Sequence, residues 1–570
     1  MMVKTSLRAG SNFFTRRQTT ILSAAVIIMV MIAASRILGL VRNRVLAHFF
    51  SVETLSIYFA AFRLPETIFE VLVFGSLSSA FIPTFTGYFG KGKKEAWYIA
   101  SAALNITLLL FTLLGILIFV FARPIYQVIA VGFNPEQLDQ IVSLARILLL
   151  AQGFFVLSYF LTGVLESLQR FLVPAIAPLL YNLGIILGAV FFTGKLGIYA
   201  PTMGALVGAF LHFAIQLPLA FYLGFRFQRI FDFRHPGVRE IGRLAAPRVV
   251  ELSFLQVGKS VELFLASLVS TAAYTYYTFA NSLQLLPVGL FGISIAKASL
   301  PTLSYQAKEK SLARFKKTFL ASFNEIVFLV VPCAVFLAVL RIPIVRLVFG
   351  TARFTWISTV QTGYTLSAFS LGIFSQALIY LLNRAFYALH DTATPVKISI
   401  ASIFLNICLG FLFVLVFHWP IWGLALAFSL SSIIQLVALI YFLNRKLEGL
   451  DKRKLILPFV KISFSALFSG GVMFFLLKIL DQAAWDKKLS FLGRFGLVLP
   501  TTFDRFVLDT RYTFNLIFLT ALVALIGGVF YLTFVFFLKV EELRVLARLI
   551  KRFKKEKPFL LTEPPIENTT

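Results

Sequence analysis

The residues of this chain best placed to do chemistry are ionisable groups inside apolar segments. Arg36 and Arg42 lie in the first such segment, Asn43 and Arg44 follow, and neither of the first two arginines has an acid nearby in its own segment. A charge at membrane depth costs at least about 2.5–3.5 kcal/mol on insertion scales, so such groups face a cavity or a partner. Uncompensated arginines there suit an anion, above all phosphate or pyrophosphate, whose oxygens the guanidinium fork matches bidentately. Arg63, Glu66 and Glu70 on the next segment share roughly 60° of arc at about 100° per residue, a stripe that also takes in Ser56. Arg248, Glu251, Lys259 and Glu262 share about 80° on a later segment. Each segment therefore presents a polar seam, expected to face inward. The seams admit two readings: structural ion pairs, with Arg63–Glu66 and Lys259–Glu262 neutralising each other at i,i+3, or a functional cavity wall.

Other candidates carry less. His212 and Glu325 are structural or part of a proton path, and Asn406 either joins a cation site or bonds helix to helix. Cys333 and Cys408 fall inside apolar segments, so neither a disulfide framework nor metal-ligand spacing is expected, and no metal is assigned. No GxxxxGK[ST], HExxH or GxSxG motif occurs. ATP hydrolysis and familiar hydrolase chemistry therefore lack their residues, and no cofactor is expected.

The elements that position these groups are membrane-crossing helices. The chain is 59% hydrophobic and 14% charged, against roughly 25% charged in soluble domains. Apolar stretches of about 20 residues, enough to cross the hydrocarbon as helix, fall near 20–46, 55–88, 97–122, 141–166, 172–194, 201–224, 247–270, 272–302, 318–345, 361–387, 395–417, 421–443, 458–480 and 513–538. The expectation is an all-α polytopic protein with about 14 such spans. The net charge of +28 is topological. Clusters such as Lys91, Lys93 and Lys94, or Arg226, Arg229 and Arg234, alternate with loops poor in cations, which places both termini in the cytoplasm and excludes nucleic-acid binding. The start, with Arg16 and Arg17 ahead of an apolar run, has the look of a signal peptide, but the helical pattern continues through Ser35–Gly39 and points to a retained first span.

An internal echo organises the spans. Gly204, Gln216 and Tyr222 return as Gly423, Gln435 and Tyr441; Leu168 and Pro174 return as Leu389 and Pro395; Phe74-Gly75 returns as Phe291-Gly292. All three anchors sit about 220 residues apart, far beyond a solenoid period. The expected order is a cytoplasmic N-terminus (1–19), a first six-helix lobe (20–224), an amphipathic linker (225–246), a second lobe (247–443), two more spans with a long outer loop at 481–512 (444–538), and a basic tail (539–570). The tail is suited to anionic lipid. Six spans per copy relate the lobes by a pseudo-two-fold along the membrane normal, the arrangement of bundles that rock about a central site.

Several stretches resemble the MurJ (MviN) lipid II flippases: SRILGLVR (Ser35 to Arg42), FRLP (Phe62 to Pro65), GSLSSAFIP (Gly75 to Pro83), RFLVP (Arg170 to Pro174), GLFGISIA (Gly289 to Ala296) and RAFYALHDTATPVK (Arg384 to Lys397). The resemblance implies the multidrug/oligosaccharidyl-lipid/polysaccharide exporter fold, with a cationic cavity between two lobes and a groove by the last two helices for a polyprenyl tail. It implies that the chain is a transporter that moves lipid II from inner to outer leaflet of the bacterial cytoplasmic membrane by alternating access, and it gives Arg36 and Arg42 the pyrophosphate. Asn43 and Ser56 stand where the family carries Asp, Phe69 and Glu70 where it carries basic residues, and Asn281-Ser282 where it carries Asp-Arg. Arg63 and Lys259 are the expected replacements for the lost cations. These departures keep two alternatives open, a flippase for another lipid-linked oligosaccharide and a non-transporting scaffold for envelope assembly. Energy coupling, whether to H⁺, Na⁺ or membrane potential, is not legible.

Overall fold

The computed structural model describes residues 21–74, 80–309, 311–481 and 507–543, and the regular structure among them is helical. The first half runs α1 (Ile21–Phe49), α2 (Val52–Ala61), α3 (Arg63–Phe69) with a π segment (Glu70–Phe74), α4 (Ile82–Lys91), α5 (Lys93–Ile129), α6 (Pro135–Ser167), α7 (Leu172–Leu196), α8 (Tyr199–Ala214) and α9 (Leu217–Tyr222). The second half runs α10 (Pro236–Val269), α11 (Ala273–Pro287) with a π segment (Val288–Ile293), α12 (Ser294–Lys308), α13 (Leu312–Val339) and α14 (Arg341–Phe349). It continues through α15 (Trp356–Ser370), α16 (Ile373–Ala388), α17 (Ala393–Phe411) with a π segment (Leu412–Val416), and α18 (Trp422–Lys446). Then come α19 (Lys452–Leu480) and α20 (Thr513–Phe537).

Among the described residues eleven helices are long and apolar enough to cross a membrane, or twelve with the bent pair α15–α16, against the fourteen expected. The two expected crossings outside that set are the first, which is α1, and the second, which is broken. Its break has a local cause. Pro65 has no N–H to give the carbonyl of Ala61 four residues back, and the Tyr126 hydroxyl on α5 donates to that carbonyl instead, at 2.9 Å. Most of the expected outer loop, and the tail from residue 544 onward, lie outside the described residues. The expected linker is extended only to His235, whose side chain caps α10 ahead of Pro236, so its remaining residues are the first turns of that helix.

The echo in the sequence is an echo in structure. Asn134 and Thr355, about 220 residues apart, cap α6 and α15 by accepting the backbone N–H three residues on. Gln169 and His390 both take positive φ, 59° and 56°. In each case the next N–H reaches back five residues, Arg170 to Leu165 and Asp391 to Phe386, which closes the helix end as a Schellman turn. Phe74 and Phe291 each lie in a π segment. Packing repeats too: α1 on α7 answers α10 on α17, and α7 on α8 answers α17 on α18. Between halves, α5 against α10 answers α1 against α14, while α2 meets α11. The last two helices pack on the second half, α19 against α13 and α20 against α14.

Glycines set the tightest contact. A Cβ at Gly184 of α7 would sit 2.6 Å from the carbonyl oxygen of Gly204 on α8, and one at Gly188 would sit 2.6 Å from that of Ala200. Small residues spaced by four let two membrane helices approach this closely, which explains the Gly204 anchor. The Gln216 and Gln435 anchors are helix ties: Gln216 donates to Ser158 Oγ (2.7 Å) and Gln435 to Ser399 Oγ (3.0 Å).

Candidate functional site

The polar seams meet where the two halves meet. Arg63 on α3 is 5% exposed and donates through Nη2 to Gln256 Oε1 on α10. Gln256 Nε2 in turn donates to Glu70, whose Oε2 also accepts from Lys259 Nζ at 2.8 Å. The four residues form one chain across the interface of the halves. Glu66 and Glu262 lie within electrostatic reach of Arg63. The i,i+3 pairs Arg63–Glu66 and Lys259–Glu262 are not the ones made. The cations turn across the interface, because the facing helix offers partners and a desolvated charge gains more from a hydrogen-bonded partner than from a neighbour on its own helix. Glu262 instead accepts from Asn406 at 3.5 Å, so that asparagine serves a helix-to-helix contact.

Arg42 is held differently. Nε and Nη2 donate to Asn43 Oδ1 (3.2 and 3.0 Å), and Nη1 donates to Asn182 Oδ1 on α7 (3.1 Å). Both partners are neutral amides, so the guanidinium is positioned without being neutralised. Three of its five N–H groups are engaged and two remain. Arg36 is exposed and has no hydrogen-bond or ion-pair partner among the described residues. Six residues of helix set the two arginines about 120° apart, so α1 does not carry them on one face.

The remaining sequence-predicted residues divide. Ser56 is fully buried, bonds Thr275 at 2.8 Å, and joins α2 to α11 instead of lining a cavity. Arg248 and Glu251 do form an i,i+3 pair, at 2.5 Å, away from the Arg63–Lys259 chain. Phe69 packs its ring on Phe155 (5.8 Å) and Tyr159 (5.3 Å), filling with aromatic contact the place of a cation. Asn281 accepts from Gln284 (2.8 Å), and Ser282 turns its hydroxyl back to the Phe279 carbonyl (2.7 Å). Sequence reasoning missed Gln256 and Asn182. Both are amides in apolar helices, and Gln256 sits three residues before Lys259, about 60° outside its stripe; a carboxamide at that depth needs a partner as surely as a charge does.

Two cavities flank the node. One, about 650 Å³, is an apolar groove between the halves, lined by Ile68 and Leu72 of the α3 region, Leu114 of α5, and Val257, Val261 and Phe264 of α10. It touches the node through Gln256 and lies away from α19 and α20, beside which the resemblance placed the tail groove. The other, about 150 Å³, lies within the first half and is lined by Glu66, Glu70 and His212 together with Gln152, Tyr159 and Tyr181. Among the described residues no group of three or more His, Cys, Asp or Glu is arranged to hold a metal, and Cys333 and Cys408 are free thiols.

Two packed helical bundles, a charged node between them and apolar helices throughout define a membrane transporter of the two-lobed exporter class. Solved structures agree on the fold. A structure titled "Lipid II flippase MurJ, inward closed conformation" covers 89% of this chain and 99% of its own, with TM-score 0.70 and 24% identity. An inward-facing multidrug resistance MATE family transporter of the MOP superfamily covers 75% of this chain and 98% of its own, with TM-score 0.61 and 14% identity. Residues 45–496 match the profile of the family described as Lipid II flippase MurJ, and the chain belongs to that family. Among relatives, the "Probable lipid II flippase MurJ" of Vibrio cholerae is 28% identical over 75% of this chain and 85% of its own. That of Haemophilus influenzae is 28% identical over 81% and 94%. The "Lipid II flippase MurJ" of Burkholderia cenocepacia is 26% identical over 77% and 87%.

Proposed function

We propose that this protein is a flippase that carries lipid II, the polyprenyl-pyrophosphate-linked peptidoglycan precursor, from the inner to the outer leaflet of the bacterial cytoplasmic membrane by alternating access. The observation that carries the reading is Arg42. A guanidinium fixed by two neutral amides, with two N–H groups to spare, is preorganised for an anionic oxygen pair and has no carboxylate to displace first. Arg36, six residues earlier and without a partner among the described residues, supplies a second cation. Arg63 adds a third whose bonded partner, Gln256, is neutral, whereas Lys259 is engaged by Glu70 in this state. The apolar groove beside the node suits an isoprenoid chain, which stays in hydrocarbon while the polar head crosses. Both termini lie in the cytoplasm, where the basic tail meets anionic lipid, and an ion gradient or the membrane potential drives the cycle.

Depletion and rescue tests the reading. A cell stripped of its own lipid II flippase receives the wild-type chain or Arg36→Ala/Arg42→Ala, and lipid II in the outer leaflet is quantified at matched membrane expression. Rescue by the wild type and not by the double variant is the expected result; a well-expressed wild type that fails overturns lipid II as the cargo. One observation favours a second reading, another lipid-linked oligosaccharide. Glu66, Glu70 and Glu262 cluster with the cations of the node, and Asn281-Ser282 brings no charge. Rescue of a different lipid-linked sugar pathway would select it.

A further inference from the structure

The small cavity inside the first half is lined by acids, an amide and aromatic residues, with no Lys or Arg among them. Gln152 on α6 is 3% exposed, and its Oε1 has no hydrogen-bond partner among the described residues. A buried amide oxygen left in that condition costs on the order of 1–3 kcal/mol, so it marks a place where something electropositive belongs. Glu66 lines the same cavity from α3, and its carboxylate likewise has no hydrogen bond or ion pair among the described residues. None of the nearby cations bonds it: Arg63 donates to Gln256, Lys259 to Glu70, and Arg42 to Asn43 and Asn182. From α7 and α6, Tyr181 and Tyr159 add phenol oxygens, and His212 on α8 is tied through Nδ1 to Ser158 at 2.6 Å. At Glu70 the helix widens to a π segment, an irregularity that recurs at functional sites.

We propose that this cavity is a binding site for a small monovalent cation, with Glu66 and Gln152 Oε1 as its principal oxygen ligands. Size and donor type select the ligand. A volume of about 150 Å³ holds an ion with a few waters at about 30 Å³ each, whereas organic ligands take about 300 Å³ or more. Carboxylate, amide and phenol oxygens are hard donors that suit alkali ions. A divalent ion calls for more carboxylate ligands than are gathered here. The inference is independent of which lipid is carried. It also gives the cation a mechanical position, since Glu70 at the edge of the cavity holds Lys259 of the other half.

The test uses purified full-length protein in detergent, with Na⁺ as probe and choline at equal ionic strength as control. Na⁺ should raise the thermal midpoint saturably by a few degrees, as binding to the native state must. Glu66→Gln and Gln152→Leu should each abolish that rise, while Glu53→Gln, on α2 away from the cavity, retains it. Retention of ²²Na⁺ by the wild type, and its loss in Gln152→Leu, gives a direct reading should Glu66→Gln fail to fold. A wild type that does not distinguish Na⁺ from choline overturns the proposal. So does a midpoint that follows pH and ignores Na⁺, which would make Glu66 a proton site facing Glu70, Tyr159, Tyr181, His212, Arg63, Arg42 and Lys259.

Discussion

Arg42 and Lys259 are both cations in an apolar setting, but their partners give them opposite prospects. The Arg42 fork is held in plane by two amide oxygens and can offer its remaining N–H pair to a phosphate. Arg42→Lys keeps the charge and loses the fork, so outer-leaflet lipid II should fall well below wild type at equal expression. A variant that transports at the wild-type rate would show that charge alone matters there. Lys259 shares Glu70 Oε2 with Gln256, and both ionic partners are partly shielded. Removing one leaves the other charged and unpaired, so Lys259→Met and Glu70→Gln should each destabilise the protein, and the pair together by less than their sum. A coupling of about 1–3 kcal/mol is the expected size for contacting charges, read from denaturation of the four proteins of the cycle. Additive effects would place the two charges outside each other's influence. The helix faces that carry these residues were legible from spacing. Their partners were not, because periodicity fixes which side of a helix is polar and says nothing of which helix comes to face it.

At the scale of elements, the repeat was legible because it is written in residues that constrain backbone. Gly204 and Pro174 are examples, as is the turn that closes at Gln169 and again at His390. The broken second span was hidden, since it takes both Pro65 and the hydroxyl of Tyr126, some sixty residues on, to open a helix there. The α7–α8 contact gives a prediction of its own. Gly184→Ala places a methyl 2.6 Å from the Gly204 carbonyl oxygen and 2.7 Å from Gly208 Cα, backbone atoms that no side-chain rotation can clear. Overpacking of this kind costs about 1–3 kcal/mol, so the thermal midpoint should drop. Gly194→Ala, in the same helix with open space around it, should leave the midpoint unchanged or slightly raised. Equal midpoints in the two variants would mean that the helices can part at no cost. Because Asn182, which steers Arg42, lies two residues before Gly184, Gly184→Ala should also weaken transport in whatever protein remains folded.

For the whole molecule the decisive contacts are those that join the halves at one end. Ser56 meets Thr275 at 2.8 Å, Arg44 donates to the Leu347 carbonyl at 2.6 Å, and Thr351 donates to that of Ala47 at 2.6 Å. Gly132 N–H donates to Ser267 Oγ at 3.2 Å. These groups gather where α1, α5, α10 and α14 end and α2 and α11 begin. Ser56 and Thr275 are 219 residues apart, near the repeat spacing, so two-fold pseudosymmetry brings related positions against each other. Rocking bundles must part at this end to release a cargo there. The individual bonds are weak enough for that: the neutral ones are worth about 0.5–1.5 kcal/mol each, and the one from the charged Arg44 about 1.5–3 kcal/mol. A covalent tie is not. With Cys333 and Cys408 first replaced by Ser, Ser56→Cys/Thr275→Cys sets two thiols where hydroxyls now stand 2.8 Å apart, near enough for oxidation to join them. Oxidation should then halt the appearance of lipid II in the outer leaflet, and reduction should restore it, while either single cysteine is indifferent to both treatments. Full transport by the crosslinked protein would mean that the halves need not separate here, and the rocking motion would have to be abandoned even if the cargo and its arginines stood.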